Sequence, residues 1–203
     1  RAFKRITGEL QAGIKEAPFD PRAPLFLGTV YSQAGLFNEA LVSFEDAQNL
    51  SPKKQQIFFE IADVYIKEGN YPKAVSVLEE SFNLAPAFNE GRINLAAVYI
   101  LNNQQAKADA LLVEAYGSPY YASPIFVQVY SVQKDYSRLL EVWKKYLASD
   151  PQKIDYHKNV AATYLELGKP LEAIRVLEEA IQLIPSFEAE GKEYIQAIRA
   201  GGR

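Results

Sequence analysis

The stretch "YIKEGNYPKAVSVLEESFNLAP", residues 65–86, returns in altered form as "YLELGKPLEAIRVLEEAIQLIP", residues 164–185. Each copy runs Tyr, three residues, Gly, then Pro, Ala, a Val-Leu-Glu-Glu core and a closing Pro. The distance between them resolves into a shorter step. Tyr31, Tyr65 and Tyr99 are 34 residues apart, as are Gly35 and Gly69, Pro52 and Pro86, and the series Ala40, Ala74, Ala108. Tyr99 to Tyr130 is 31 residues and Tyr130 to Tyr164 is 34 again, so a three-residue shortening falls near "AYGSPYYASP", residues 115–124. A fixed period of this length marks an architecture in which each copy is one brick of a stack.

Each brick reads as two helices. Phe58, Ile61, Ala62 and Tyr65 lie at helical spacing, and Gly69 closes that first helix. Pro72 opens the second in its first turn, where a missing N–H costs nothing. Ala74, Val75, Leu78 and Phe82 carry its apolar face to Pro86. Two such helices cannot bury their faces alone, so neighbours must stack.

These residues resemble tetratricopeptide repeats over nearly the whole chain. That family places a small residue where the first helix crosses the second, here Gly28, Ala62, Ala96 and Ala161. It places another early in the second helix, here Ala40, Ala74, Ala108 and Ala173, and closing prolines at Pro52, Pro86, Pro151 and Pro185. The resemblance implies an all-α fold, a right-handed α-α superhelix (solenoid) of about five helix pairs. Residues 1–20 read as the second helix of a truncated repeat, because "KEAPFD" around Pro18 mirrors "NLAPAFNE" around Pro86. Repeats follow at 21–54, 55–88, 89–119 (shortened), 120–153 (diverged) and 154–187. Residues 188–203 form a capping helix with a frayed end. In the diverged unit Val127 and Leu139 replace small residues, Gly is missing near Lys134, and Trp143, the one tryptophan, takes a core position. Helices packed farther apart, a local kink or a change of pitch are expected there, with Ser123 and Pro124 capping the next helix.

Composition narrows function more by exclusion. The 203 residues are 48% hydrophobic with net charge −3, and the 22 Lys and Arg are scattered among 25 Asp and Glu. That pattern lacks the basic face of a nucleic-acid binder; the local excess at Arg1, Lys4 and Arg5 reads as a solvated helix end. There is no cysteine and one histidine, His157, so disulfides and thiolate metal sites are excluded and a Ser–His–acid arrangement would have to use a residue that reads as core. Glu79–Glu80 and Glu178–Glu179 recur at one place on second helices. Adjacent helical residues diverge by about 100°, so they read as a solvated outer face and not as an acid–base pair. No catalytic, metal or cofactor site is expected, and the segment reads as non-enzymatic. A chain that opens at Arg1 and has no methionine reads as an excised part of something larger. Its compartment stays open, cytoplasmic or extracytoplasmic.

Function then rests on the concave surface that the resemblance implies. The groove is expected to show Phe26 and Thr29, then Phe59, Asp63 and Lys67, then Ile93, Asn94, Ala97 and Leu101, with Gln128, Lys158, Asn159 and Ala162 further along. Asn94 and Asn159, at equivalent points, could each pair with an extended peptide backbone or simply be solvated. Phe59, Ile93 and Leu101 read equally as an apolar floor or as inter-helix packing. Leu25 and Thr29 stand where the carboxylate clamp of some family members needs Lys and Asn, which disfavours a C-terminal tail receptor. The expected role is a protein-binding scaffold that holds a partner peptide or helix. Two other readings stand beside it. "RAFKR", "YIQAIRAG" and the diverged unit resemble the soluble tails of bacterial O-antigen ligase or glycan polymerase-like membrane proteins, which implies catalysis and a membrane tether upstream. "SPYYASPIF" could instead mediate self-association.

Overall fold

The computed structural model describes residues 2–201. The expected basic start at Arg1 and the frayed end at Gly202 and Arg203 lie outside them. The described residues form twelve α-helices: α1 (Ala2–Glu16), α2 (Arg22–Gln33), α3 (Phe37–Leu50), α4 (Gln55–Lys67), α5 (Tyr71–Leu84), α6 (Asn89–Leu101), α7 (Gln105–Tyr116), α8 (Pro124–Gln133), α9 (Tyr136–Ser149), α10 (Ile154–Glu166), α11 (Pro170–Leu183) and α12 (Glu188–Arg199). A 3₁₀ turn, Pro185–Phe187, precedes α12. No helix among the described residues is long and apolar enough to cross a membrane. The arrangement is an α-solenoid of helix pairs, and the chain divides into two compact units, one ending at Ala108 and the other beginning at Asp109.

One backbone device recurs at every pair. After α2, α4, α6, α8 and α10 a single residue turns left-handed: Gly35 at φ 75°, Gly69 at 72°, Asn103 at 57°, Lys134 at 55° and Gly168 at 69°. The N–H of the following residue then reaches back to close the helix. Leu36, Asn70, Gln104, Asp135 and Lys169 donate to the carbonyls of Tyr31, Tyr65, Tyr99, Tyr130 and Tyr164. These 6→1 bonds satisfy carbonyls that the helix end would leave without partners. The repeat tyrosine is therefore also the residue whose carbonyl seals the turn.

In the first unit Leu25, Ala40, Phe44, Ala47, Ile57, Ile61 and Val64 form one buried cluster. The need for a small residue at the crossing is plain at Gly28, where a Cβ would stand 2.5 Å from the Phe44 ring. In the second unit Val160, Ala161, Ala173, Leu177, Ala180 and Phe187 form the corresponding cluster, and Ile195 of α12 belongs to it. Gly191 lets α12 approach α11, since a Cβ there would meet Ile181 at 2.7 Å.

The α8–α9 pair is built differently. Val127 is half-buried, whereas Gly28, Ala62, Ala96 and Ala161 are buried. Trp143 is also half-buried and leans on Tyr146 and Tyr156, with ring centroids 5.4 and 6.3 Å away. It is thus a rim residue of its cluster and not the sealed core residue the sequence predicts. The tie here is polar. The Arg138 guanidinium donates two hydrogen bonds to the Asp109 carboxylate, at 2.8 and 2.9 Å, and joins α9 to α7. Its own burial opposes the charge, yet the bonds and attraction from Asp109 and Tyr130 raise its pKa further. Ser123 stands at the α8 N-cap position, but its side chain makes no capping bond, contrary to expectation. The buried Ser123 carbonyl instead accepts from the N–H groups of Phe126 and Val127.

Candidate functional site

The first-unit candidates fall into three groups. Thr29, Asp63 and Lys67 share a polar network on α2 and α4. Lys67 pairs with Asp63 at 2.6 Å and donates to Ser32 Oγ at 3.1 Å. Glu60 joins it: burial and then the neighbouring Asp63 carboxylate raise its pKa, against Lys67 and a hydrogen bond from Thr29. Phe26 projects outward, 56% exposed, while Phe59 stacks on Phe88 with centroids 6.2 Å apart and planes 7° from parallel. Ile93, Asn94 and Leu101 are half-buried on α6. Ala97 offers no surface at 2% exposure, because it falls within Leu95–Ile100, a run buried at every position. It is a packing residue.

Three of the second-unit candidates come together. Lys158, Asn159 and Ala162 of α10 line a cleft of 340 Å³ whose opposite wall is Tyr194, Ala197 and Ile198 of α12. Ala161, Leu165 and Leu177 make its apolar floor. A second hollow, of 440 Å³, shares Ala162, Leu165 and Ile198 with it. At the rim, Lys158 Nζ bonds Glu190 Oε1 at 2.9 Å, Tyr194 donates its hydroxyl to the same oxygen at 3.1 Å, and the ammonium lies 5.2 Å from the Tyr194 ring. Glu190 and Tyr194 raise the Lys158 pKa, and Lys158 with Tyr194 lowers that of Glu190, so both stay charged at neutral pH. Gln128, on α8, is exposed and outside this set.

Register explains why the cleft is open here. The α10 positions Val160, Thr163 and Tyr164 correspond, one step of 34 on, to Tyr194, Ala197 and Ile198 of α12. The same positions are Ile61, Val64 and Tyr65 on α4, and Leu95, Val98 and Tyr99 on α6. Val64, Val98 and Thr163 are buried, whereas α12 puts alanine at that step and an isoleucine in the tyrosine's place. Tyr194 is 40% exposed where Ile61, Leu95 and Val160 are buried. Sequence reasoning missed the α12 wall because it read that helix only as a cap; the broken tyrosine series at Ile198 was the available signal.

Two further expectations meet the structure. His157 is 4% exposed and its Nε2 lies 2.8 Å from the Pro151 carbonyl, which can only accept, so Nε2 carries the proton and the ring acts in packing. The glutamate pairs are less uniform than a solvated face. Glu79 accepts from the Tyr99 hydroxyl at 2.7 Å and pairs with Lys107 at 3.5 Å, and Glu178 accepts from Arg199 at 3.3 Å. Each braces neighbouring helices, while Glu80 and Glu179 are exposed.

Comparison with known families supplies the repeat's name: the tetratricopeptide repeat profile matches residues 55–88 and 157–187. Those two stretches are similar to tetratricopeptide repeats. The second match carries Lys158, Asn159 and Ala162 of the cleft. Solved tetratricopeptide structures share the fold. A tetratricopeptide repeat protein from Parabacteroides merdae aligns over 87% of this chain and 71% of its own, with 18% identity and a TM-score of 0.61. YrrB, described as a TPR protein with an unusual peptide-binding site, aligns over 87% and 92%, with 18% identity and a TM-score of 0.52. The APC/C hetero-tetramer Cut9-Hcn1 aligns over 99% of this chain and 40% of its own, with 16% identity and a TM-score of 0.59. Likeness at such identities concerns the fold. No curated protein sequence matches the chain.

Proposed function

We propose that this segment is a non-catalytic scaffold that holds a partner polypeptide, and that the α10–α12 cleft is its principal contact. The observation that carries this reading is the cleft itself: an apolar floor of alanine, leucine and isoleucine beneath a rim of Lys158, Asn159 and Tyr194. An apolar pocket with a few polar groups at its mouth suits one bulky side chain, with the Asn159 amide free to pair with the backbone that carries it. The recorded roles of solenoids with this fold, peptide binding in YrrB and complex formation in Cut9-Hcn1, agree in kind. Phe26, Thr29, Phe59, Asp63, Lys67 and Asn94 of the first unit serve as further contacts in this reading.

Selection of a displayed random-peptide library against the intact chain tests it. Selected peptides should lose about tenfold or more in affinity to Asn159→Ala combined with Ala162→Arg, with the helical circular dichroism retained. Peptides that bind this variant unchanged would place recognition elsewhere. The membrane-tail reading makes a separate demand, that the parent chain sediment with membranes, and cell fractionation decides it.

A further inference from the structure

We infer that the α10–α12 cleft is selective for an aromatic side chain, which takes the place that a repeat tyrosine holds elsewhere in the chain. This rests on the scaffold reading above and adds the chemistry of the occupant. Tyr31, Tyr65, Tyr99, Tyr130 and Tyr164 keep one step of the register, and Ile198 is the first residue to break the series. Three of those tyrosines, Tyr31, Tyr99 and Tyr164, reach back to the preceding second helix. Gln11 donates to the Tyr31 hydroxyl at 3.4 Å, Tyr99 donates to Glu79 at 2.7 Å, and Lys144 lies 5.9 Å from the Tyr164 ring. Gln11, Glu79 and Lys144 are themselves in register, and the next residue of that series is Glu178. Glu178 is held by Arg199, which closes the polar end of the sixth slot, while at its ring end Ile198 stands in the tyrosine's place beside Ala197 and Tyr194.

The surroundings fit a ring better than a branched aliphatic chain. Ala162 and Ala197 present flat walls without branching, Ala161 lies with Leu165 and Leu177 in the floor, and the Lys158 ammonium already stands against one aromatic face at the rim, that of Tyr194. Flat apolar walls and a nearby cation both favour an aromatic guest. A dry apolar cavity lined by alkyl groups accepts free aromatic molecules on the same principle.

The test uses p-cresol, the tyrosine side-chain analogue, and 5-methyl-1-hexanol, a branched aliphatic probe of the same heavy-atom count, titrated into the intact chain and followed by amide NMR shifts. p-Cresol should shift the amides of Ala161, Ala162 and Ala197 saturably and bind about tenfold more tightly than the alcohol. Ile198→Tyr should abolish these shifts and Ala197→Val should weaken them, without lowering the melting temperature. Equal binding of the two probes overturns the aromatic preference and leaves the scaffold reading standing. No saturable p-cresol binding also overturns the preference. Failure of the peptide selection, by contrast, would count against the scaffold reading itself.

Discussion

Lys134 holds a left-handed conformation at φ 55° in a place where three other helix pairs use glycine. An L side chain there crowds the following carbonyl, at a cost of about 1–2 kcal/mol. Lys134→Gly should therefore raise stability by about 1 kcal/mol in denaturant unfolding, after the greater freedom of glycine in the unfolded chain is subtracted. Asn103→Gly should gain less, since asparagine tolerates this region. Glu60 offers a residue-scale test of charge. Its raised pKa means that the folded state binds the proton more tightly than the unfolded state, so the ionised form is destabilising and the penalty fades as pH falls through the folded pKa. Glu60→Gln should raise the melting temperature at neutral pH, with the gain shrinking toward acid pH; a gain independent of pH would assign the effect to something other than ionisation. The sequence announced the left-handed turns at Gly35, Gly69 and Gly168. It hid the same geometry at Asn103 and Lys134, because tertiary packing can impose a conformation that the local residue type does not request.

At the scale of helices, crossings are secured in two ways. Where α2 crosses α3, the absence of a side chain at Gly28 admits the Phe44 ring, and Gly28→Ala should cost about 1–3 kcal/mol by overpacking. A thermal melt unchanged by that substitution would mean the ring is free to move aside. Where α8 meets α9, the half-buried Val127 and Trp143 make a looser seam, and the Arg138–Asp109 fork ties α9 to α7. Arg138→Ala should cost about 1–3 kcal/mol, because it removes a two-bond, charge-assisted tie to a partly buried carboxylate. Hydrogen exchange should then speed up in α8 and α9 before α10 and α11. The diverged pair was legible as bulky-for-small changes at Val127 and Leu139. The fork was not, since its partners are 29 residues apart and Asp109 stands at a step that is apolar in the other units, at Leu41, Val75, Leu140 and Ile174.

For the molecule as a whole, periodicity carried the fold: helix pairs, closing turns and the all-α class followed from the 34-residue step. The candidate site was legible only in part. Lys158, Asn159 and Ala162 could be placed from register, but the facing wall of α12 could not, because a helix read as a cap was not read as a lip. Deleting residues 188–203 should remove Ile195 from the terminal cluster and uncover Phe187, lower the melting temperature and increase light scattering. A shortened chain that melts unchanged would mean that α12 contributes nothing to the stack. The Arg138–Asp109 fork has one more consequence. Alanine crossings are held by contact, which dissolved ions do not touch, but a charged fork about a quarter exposed on each side feels them. With electrostatic reach cut to roughly 3 Å at 1 M salt, ionic strength becomes a dial on a single seam of the stack. Brine should loosen α9 from α7 while leaving the alanine crossings as tight as before.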